Sequence, residues 1–188
     1  AILANVYLDN NFNGVFDGND ERLPDVTVEA VQAYKKGVSD DKGIALISGL
    51  PDNKITDIKV VRSTLPDPYM LNYEKEFAVR ARAGFIEVIN IPVVQTSEID
   101  GTIFLNNAIG NEIQFAYAPI HLLDMQDNII QTVTSEFDGY YLFMDVLPGE
   151  YQVLIDSDFI EQRNIQSSSK IRLAISADGQ LSSGNDIR

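Results

Sequence analysis

The sequence contains no cysteine, which removes disulfides, thiolate nucleophiles and cysteine zinc ligands together and leaves the compartment open. It has a single histidine, His121, so hydrolytic zinc chemistry, which gathers several imidazoles, has nothing to build on. Basic residues are scarce: 14 Lys and Arg stand against 28 Asp and Glu, a net charge of −14. Such a surface repels phosphate backbones and anionic lipid and attracts cations, which excludes nucleic acid as an expected partner. No uncharged apolar run reaches the about 18 residues of a membrane helix, so no direct membrane insertion is expected. Ala1 to Tyr7 carry neither a basic flank nor a cleavage-type segment, which predicts a cytosolic chain or an excised mature fragment. Neither GxGxxG nor GxxxxGK occurs, so no loop is marked for cradling a nucleotide phosphate.

What is present suits a folded protein. With 188 residues, 45% hydrophobic and 22% charged, the chain can fill a packed core, and its length suits two domains of about 90 to 100 residues each. The sequence also repeats itself once. Val6-Tyr7-Leu8 is echoed by Ile103-Phe104-Leu105, and Pro24-Asp25-Val26-Thr27-Val28 by Pro119-Ile120-His121-Leu122-Leu123. Ser39-Asp40-Asp41-Lys42-Gly43 is matched by Ser135-Glu136-Phe137-Asp138-Gly139, and Gly49-Leu50-Pro51 by Val146-Leu147-Pro148-Gly149. Short runs with period-2 alternation, such as Val26 to Ala30, Ile44 to Ile47, Tyr140 to Phe143 and Tyr151 to Ile155, predict strands in β-sandwiches. Asp138-Gly139 and Asp178-Gly179 predict hairpin turns. Helical periodicity is hard to find anywhere; the one stretch considered, Tyr73 to Arg82, reads better as extended. The expected fold is all-β, two tandem seven-stranded sandwiches over residues 1–97 and 98–188. The first holds 10 bases and 14 acids, net −4, and the second 4 bases and 14 acids, net −10.

One loop carries chemistry. From Asp9 to Asp20, oxygen-bearing side chains fall at positions 1, 3, 5, 9 and 12 (Asp9, Asn11, Asn13, Asp17, Asp20), with Gly14 at 6 and Val15 at 7 to offer its carbonyl. That is the spacing of a calcium loop of the EF-hand kind, in which alternate residues of a tight turn present hard oxygens to an ion that takes about six to eight of them. The predicted metal site is therefore Asp9, Asn11, Asn13, Val15, Asp17 and Asp20, with calcium (Ca2+) as the ion. Position 12 is the shorter Asp20 where a bidentate Glu is usual, and Glu21 beside it could compensate. The flanks, Val6 to Leu8 and Val26 to Val28, read as strands and not helices. In the second copy, Asn106 to Glu112 lacks both acids and register, so one site is expected, in the first copy.

The remaining candidates read as structure. Asp124 with Asp127, and Asp156 with Asp158, lack a Gly-centred loop and are expected to be solvated turns. Phe137, Tyr140, Tyr141 and Phe143 could form a carbohydrate-stacking face, but alternation sends half of such a run into the core. His121 alternates on a predicted strand with no nucleophile elbow near it, so catalysis is not expected. Two carboxylates would suffice for a glycosidase, yet acidic turns between strands account for the acids without a cleft.

Leu8-Asp9 through Asp20-Glu21, followed by Leu23-Pro24-Asp25-Val26-Thr27-Val28, resembles the B-repeat modules of Gram-positive surface adhesins. Ala118-Pro119, Asp138-Gly139-Tyr140-Tyr141-Leu142-Phe143 and Leu147-Pro148-Gly149-Glu150-Tyr151 resemble carboxypeptidase regulatory-like and collagen-adhesin B-type modules. These families imply a transthyretin-like, seven-stranded, non-catalytic sandwich. Thr64 to Pro68, Ala83-Gly84-Phe85, Ile91 to Val94 and Glu98 to Gly101 are also similar to C-terminal modules of usher-like outer-membrane fimbrial assembly proteins. Collagen-adhesin B domains often carry a Lys to Asn crosslink; the strand Ile2 to Leu8 has no lysine and Lys170 is the second module's only one, so none is expected. The resemblance implies a structural and interaction segment of a larger bacterial envelope protein, extracellular or periplasmic, with other proteins or glycans as possible ligands. The alternatives are a periplasmic part of a fimbrial export protein and a carbohydrate-binding module.

Overall fold

A computed structural model describes residues 1–71, 77–106, 110–165 and 170–188. The chain folds as two compact units, Ala1–Gln95 and Thr96–Arg188. Of the stretch Tyr73 to Arg82, residues 73–76 lie outside the described residues, and Phe77–Arg80 form a strand.

In the first unit, β1 (Ile2–Leu8) pairs antiparallel with β2 (Glu21–Arg22) and β5 (Ile44–Ile47) and parallel with β9 (Glu87–Gln95), to which β7 (Tyr69–Leu71) adds. The facing sheet has the order β4-β3-β6-β8, built from β3 (Thr27–Ala30), β4 (Lys35–Val38), β6 (Ile55–Val60) and β8 (Phe77–Arg80). Alternation decides the core: Ile2, Ala4, Val6 and Leu8 of β1, Val28 and Ala30 of β3, Ala45 and Ile47 of β5, and Ile91 and Val93 of β9 bury their side chains together.

The second unit repeats the pairing. Here β10 (Ser97–Thr102) pairs with β15 (Tyr140–Val146), and β11 (Phe104–Asn106) with β12 (Glu112–Gln114). The four-stranded sheet runs β14 (Ile129–Thr134), β13 (Pro119–Leu123), β16 (Gly149–Ile155), β17 (Ile171–Ile175). The parallel ladder of the first unit shrinks to two bridges, Ile99 to Ser182 and Ile103 to Ile187. Its core gathers Ile99, Ile103, Ile120, Leu122, Tyr141, Phe143, Val153 and Ile155.

The all-β class holds, with nine strands in the first unit and eight in the second among the described residues. All nine strands of the first unit lie in its two sheets, five in one (β2-β1-β9-β7, with β5 on β1) and four in the other, and β2 and β7 are the shortest of them. Three details differ from the sequence expectation. Asp138-Gly139 is a turn with Gly139 at φ 79°, but not a hairpin: β14 pairs with β13 and β15 with β10, so the chain crosses between sheets there. Asp178-Gly179 likewise follows β17 without a partner strand behind it; the chain goes on to the bridge at Ser182. A short helix, α1 (Ser157–Gln162), forms where none was expected, because the Asp156 carboxylate accepts the Phe159 N–H at 2.7 Å and caps it.

Candidate metal centre

β1 ends at Leu8, and the segment from Asp9 to Asp20 closes it onto β2, with Leu8 opposite Glu21 and Tyr7 opposite Arg22. Strands flank the loop on both sides, as the sequence predicts. Asp9 is fixed at its root: its N–H donates to the Val93 carbonyl at 2.7 Å, extending the pairing of β1 with β9. The Asp9 side chain is fully buried, and a buried carboxylate must be hydrogen-bonded to persist. Its two oxygens accept the N–H groups of Asn13 at 3.0 Å and Gly14 at 2.7 Å. Gly14 sits at φ 72°, the left-handed conformation that lets the chain turn back over Asp9.

The other predicted residues fold onto the same loop. Asn11 Oδ1 accepts the Asn13 N–H at 3.2 Å, and Asn13 Oδ1 accepts the Val15 N–H at 2.7 Å. The amide nitrogens of Asn11 and Asn13 donate to one oxygen of Asp17 at 3.0 and 2.9 Å. The other Asp17 oxygen accepts the Asn19 N–H at 2.8 Å. That backbone bond first, and then the two amides, hold the Asp17 carboxyl below the usual carboxylate range. Asp20 closes the ring by accepting the N–H groups of Asp17 at 2.8 Å and Asn10 at 3.2 Å. Val15 exposes its side chain, 62% accessible, consistent with a residue expected to contribute only main chain. Glu21 lies on β2, opposite Leu8.

Five oxygen-bearing side chains are thus brought to one loop, each aligned by main-chain N–H groups or by its neighbours. Among the described residues no three His, Cys, Asp or Glu side chains form a metal-holding group; the three aspartates spend their oxygens on the loop's own donors. The donor chemistry, carboxylate and amide oxygens with no nitrogen or sulfur ligand, fits a hard cation such as calcium and not a soft one.

Elsewhere, Asp124 is a turn residue, its carboxylate accepting the N–H groups of Gln126 at 2.8 Å and Asn128 at 2.9 Å. Asp127 pairs with Lys170 at 3.3 Å. Tyr141 and Phe143 are core residues packed edge to face, centroids 5.8 Å apart, while Phe137 and Tyr140 face outward at 75% and 37% exposure. His121 lies between Thr132 Oγ1 and Asp156 Oδ2, both at 2.8 Å. Neither partner is adjacent in sequence; β13 pairing places them, so sequence spacing gave no signal.

No family model and no curated protein matches the chain. Solved structures do. The Bacillus anthracis TIE protein is similar over 96% of this chain and 32% of its own length, at 15% identity and a TM-score of 0.39. The minor pilin of the Gram-positive pathogen Streptococcus agalactiae is similar over 99% of this chain and 94% of its own, at 8% identity and 0.47. The shaft pilin of Lactobacillus rhamnosus GG is similar over 96% and 94%, at 12% identity and 0.36.

Proposed function

We propose that the chain is a non-catalytic structural and interaction segment of a larger bacterial surface or envelope protein, of the adhesin-stalk type, whose first unit binds calcium through Asp9, Asn11, Asn13, Asp17, Asp20 and the Val15 carbonyl. The observation that carries this reading is the closed loop of oxygen donors rooted on Asp9. Asn11 and Asn13 reach the ion's side of the loop with either amide atom, because a half-turn of the amide exchanges nitrogen for oxygen. A divalent ion also neutralises three acids that otherwise repel one another.

The ladder at the loop's root supports a load-bearing role. β1 and β9, the first and last strands of the unit, lie side by side and parallel from Ile2 opposite Glu87 to Leu8 opposite Val93. Tension entering through the start of one and leaving through the end of the other loads that ladder in shear, so its hydrogen bonds resist together and do not open one at a time. The ion would secure the far end of β1. Millimolar calcium outside the cell suits a site of modest affinity, about 10⁻⁴ to 10⁻³ M.

Calorimetric titration of the full chain with calcium, and thermal melts with and without EGTA, test the reading. Binding the folded state alone stabilises by about 2.7 kcal/mol at a free concentration about a hundredfold above Kd. A silent titration with an unchanged melting midpoint refutes the calcium site.

A further inference from the structure

We propose that Tyr7 is the inner wall of this site, its hydroxyl donating a hydrogen bond to an oxygen of the bound ion's ligand shell and so positioning that shell. The inference rests on the calcium reading of the loop and assigns a residue outside the donor spacing.

The placement follows from strand geometry. Ile2, Ala4, Val6 and Leu8 turn into the core, so Tyr7 must leave β1 on the opposite face. A tyrosine there would be open to water, yet it is 1% exposed. The loop covers it: Phe16 packs edge-on against its ring, centroids 5.2 Å apart at 70°, and the Arg22 guanidinium lies 4.4 Å over Phe16. Tyr7 thus lies outside the first unit's core cluster and against Phe16 of the loop.

The hydroxyl has no hydrogen-bond partner among the described residues, one of only two buried side-chain polar atoms there of which this holds, the other being Ser97 Oγ in the second unit. A buried phenol normally finds an acceptor, and a phenylalanine would fill the same space with nothing left unpaired. The ligand shell of a cation in this loop supplies acceptors, as carboxylate oxygens or coordinated water. The phenolic O–H can donate to such an oxygen.

The test is Tyr7→Phe in the full chain, with calcium titrations, melts in EGTA, and tyrosine-sensitised emission of terbium as a calcium substitute. Expected is an affinity about tenfold weaker, as for the loss of one hydrogen bond to a charged shell. The EGTA melting midpoint should equal or exceed that of the wild type, and the sensitised terbium signal should fall. Calcium affinity within about twofold of wild type overturns the role of Tyr7 while leaving the site intact. So does a fall in the EGTA midpoint of Tyr7→Phe, which would make the hydroxyl merely structural. A wild-type chain that binds neither calcium nor terbium removes the calcium reading itself, and this inference with it.

Discussion

Ser39 and Ser135 make the same hydrogen bonds in the two units. The Ser39 hydroxyl donates to the Leu23 carbonyl at 2.7 Å and accepts the Val26 N–H at 2.9 Å; the Ser135 hydroxyl donates to the Phe115 carbonyl at 3.1 Å and accepts the Ala118 N–H at 3.0 Å. Both serines are buried. Each sits where the chain leaves one sheet for the other and ties that bend to the earlier segment entering the sheet, whose positive-φ residue, Asp25 or Tyr117, donates its N–H to the serine carbonyl at 2.9 or 3.2 Å. Ser39→Ala and Ser135→Ala should each leave a buried amide and carbonyl short of a partner and cost about 1 to 3 kcal/mol. Urea unfolding followed unit by unit checks this, with each substitution lowering its own unit; a loss below about 0.5 kcal/mol at both sites would show that the bend is held otherwise.

The same bend explains two glycines. A side chain at Gly43 would place its Cβ 2.4 Å from the Val6 carbonyl oxygen, and at Gly139 2.8 Å from that of Ile103, with φ of 69° and 79°. Both obstacles are backbone atoms that cannot swing aside. Gly43→Ala and Gly139→Ala should each destabilise by more than about 2 kcal/mol, conformational cost and clash combined, and Gly43→Ala should be the worse. Melting midpoints settle the order.

Asp9→Asn tests the proposed calcium site from its root. If calcium raises the melting midpoint through this loop, losing one formal charge at the fully buried Asp9 should abolish that rise, while Asp124→Asn, at a turn of the second unit, should leave it unchanged. Equal responses in the two variants would place calcium's effect elsewhere on the acidic surface.

Acid should weaken the second unit through Asp156. The hydrogen bond from His121, and then the Phe159 N–H, hold its carboxyl below the usual range. A folded pKa below the unfolded one means stability that is present above the unfolded value of about 3.9 and is lost as pH falls through the folded value. Asp156→Asn keeps a capping side chain but does not titrate. Its melting midpoint should fall less steeply than wild type between about pH 4 and pH 2; identical slopes would mean that Asp156 adds nothing to the acid limb.

Much of this was legible in the chain. Strand alternation gave β3, β5, β15 and β16, because burial on one face imposes a period of two. The closed turn from Asp9 to Asp20 was legible because its hydrogen bonds are local: Asp9 and Gly14 meet within a few residues, and no distant partner is needed to bring them together. The repeat alignment was right at Val6 with Ile103 and at Ser39 with Ser135, but wrong at Pro24. The serine bonds make Val26 the counterpart of Ala118, so Pro119 stands opposite Thr27. The two entering loops differ in length, and matching one proline to the other hid the shift.

The sequence by itself determined the sheet-forming pattern, the duplicated bend and the acidic oxygen loop, since each depends on neighbours a few residues apart. Only the tertiary structure decided the parallel pairing of β1 with β9, the contact of His121 with Thr132 and Asp156, and the burial of Tyr7 beneath Phe16. These join residues far apart in the chain or fix which side of a strand is covered, and neither is written in local spacing.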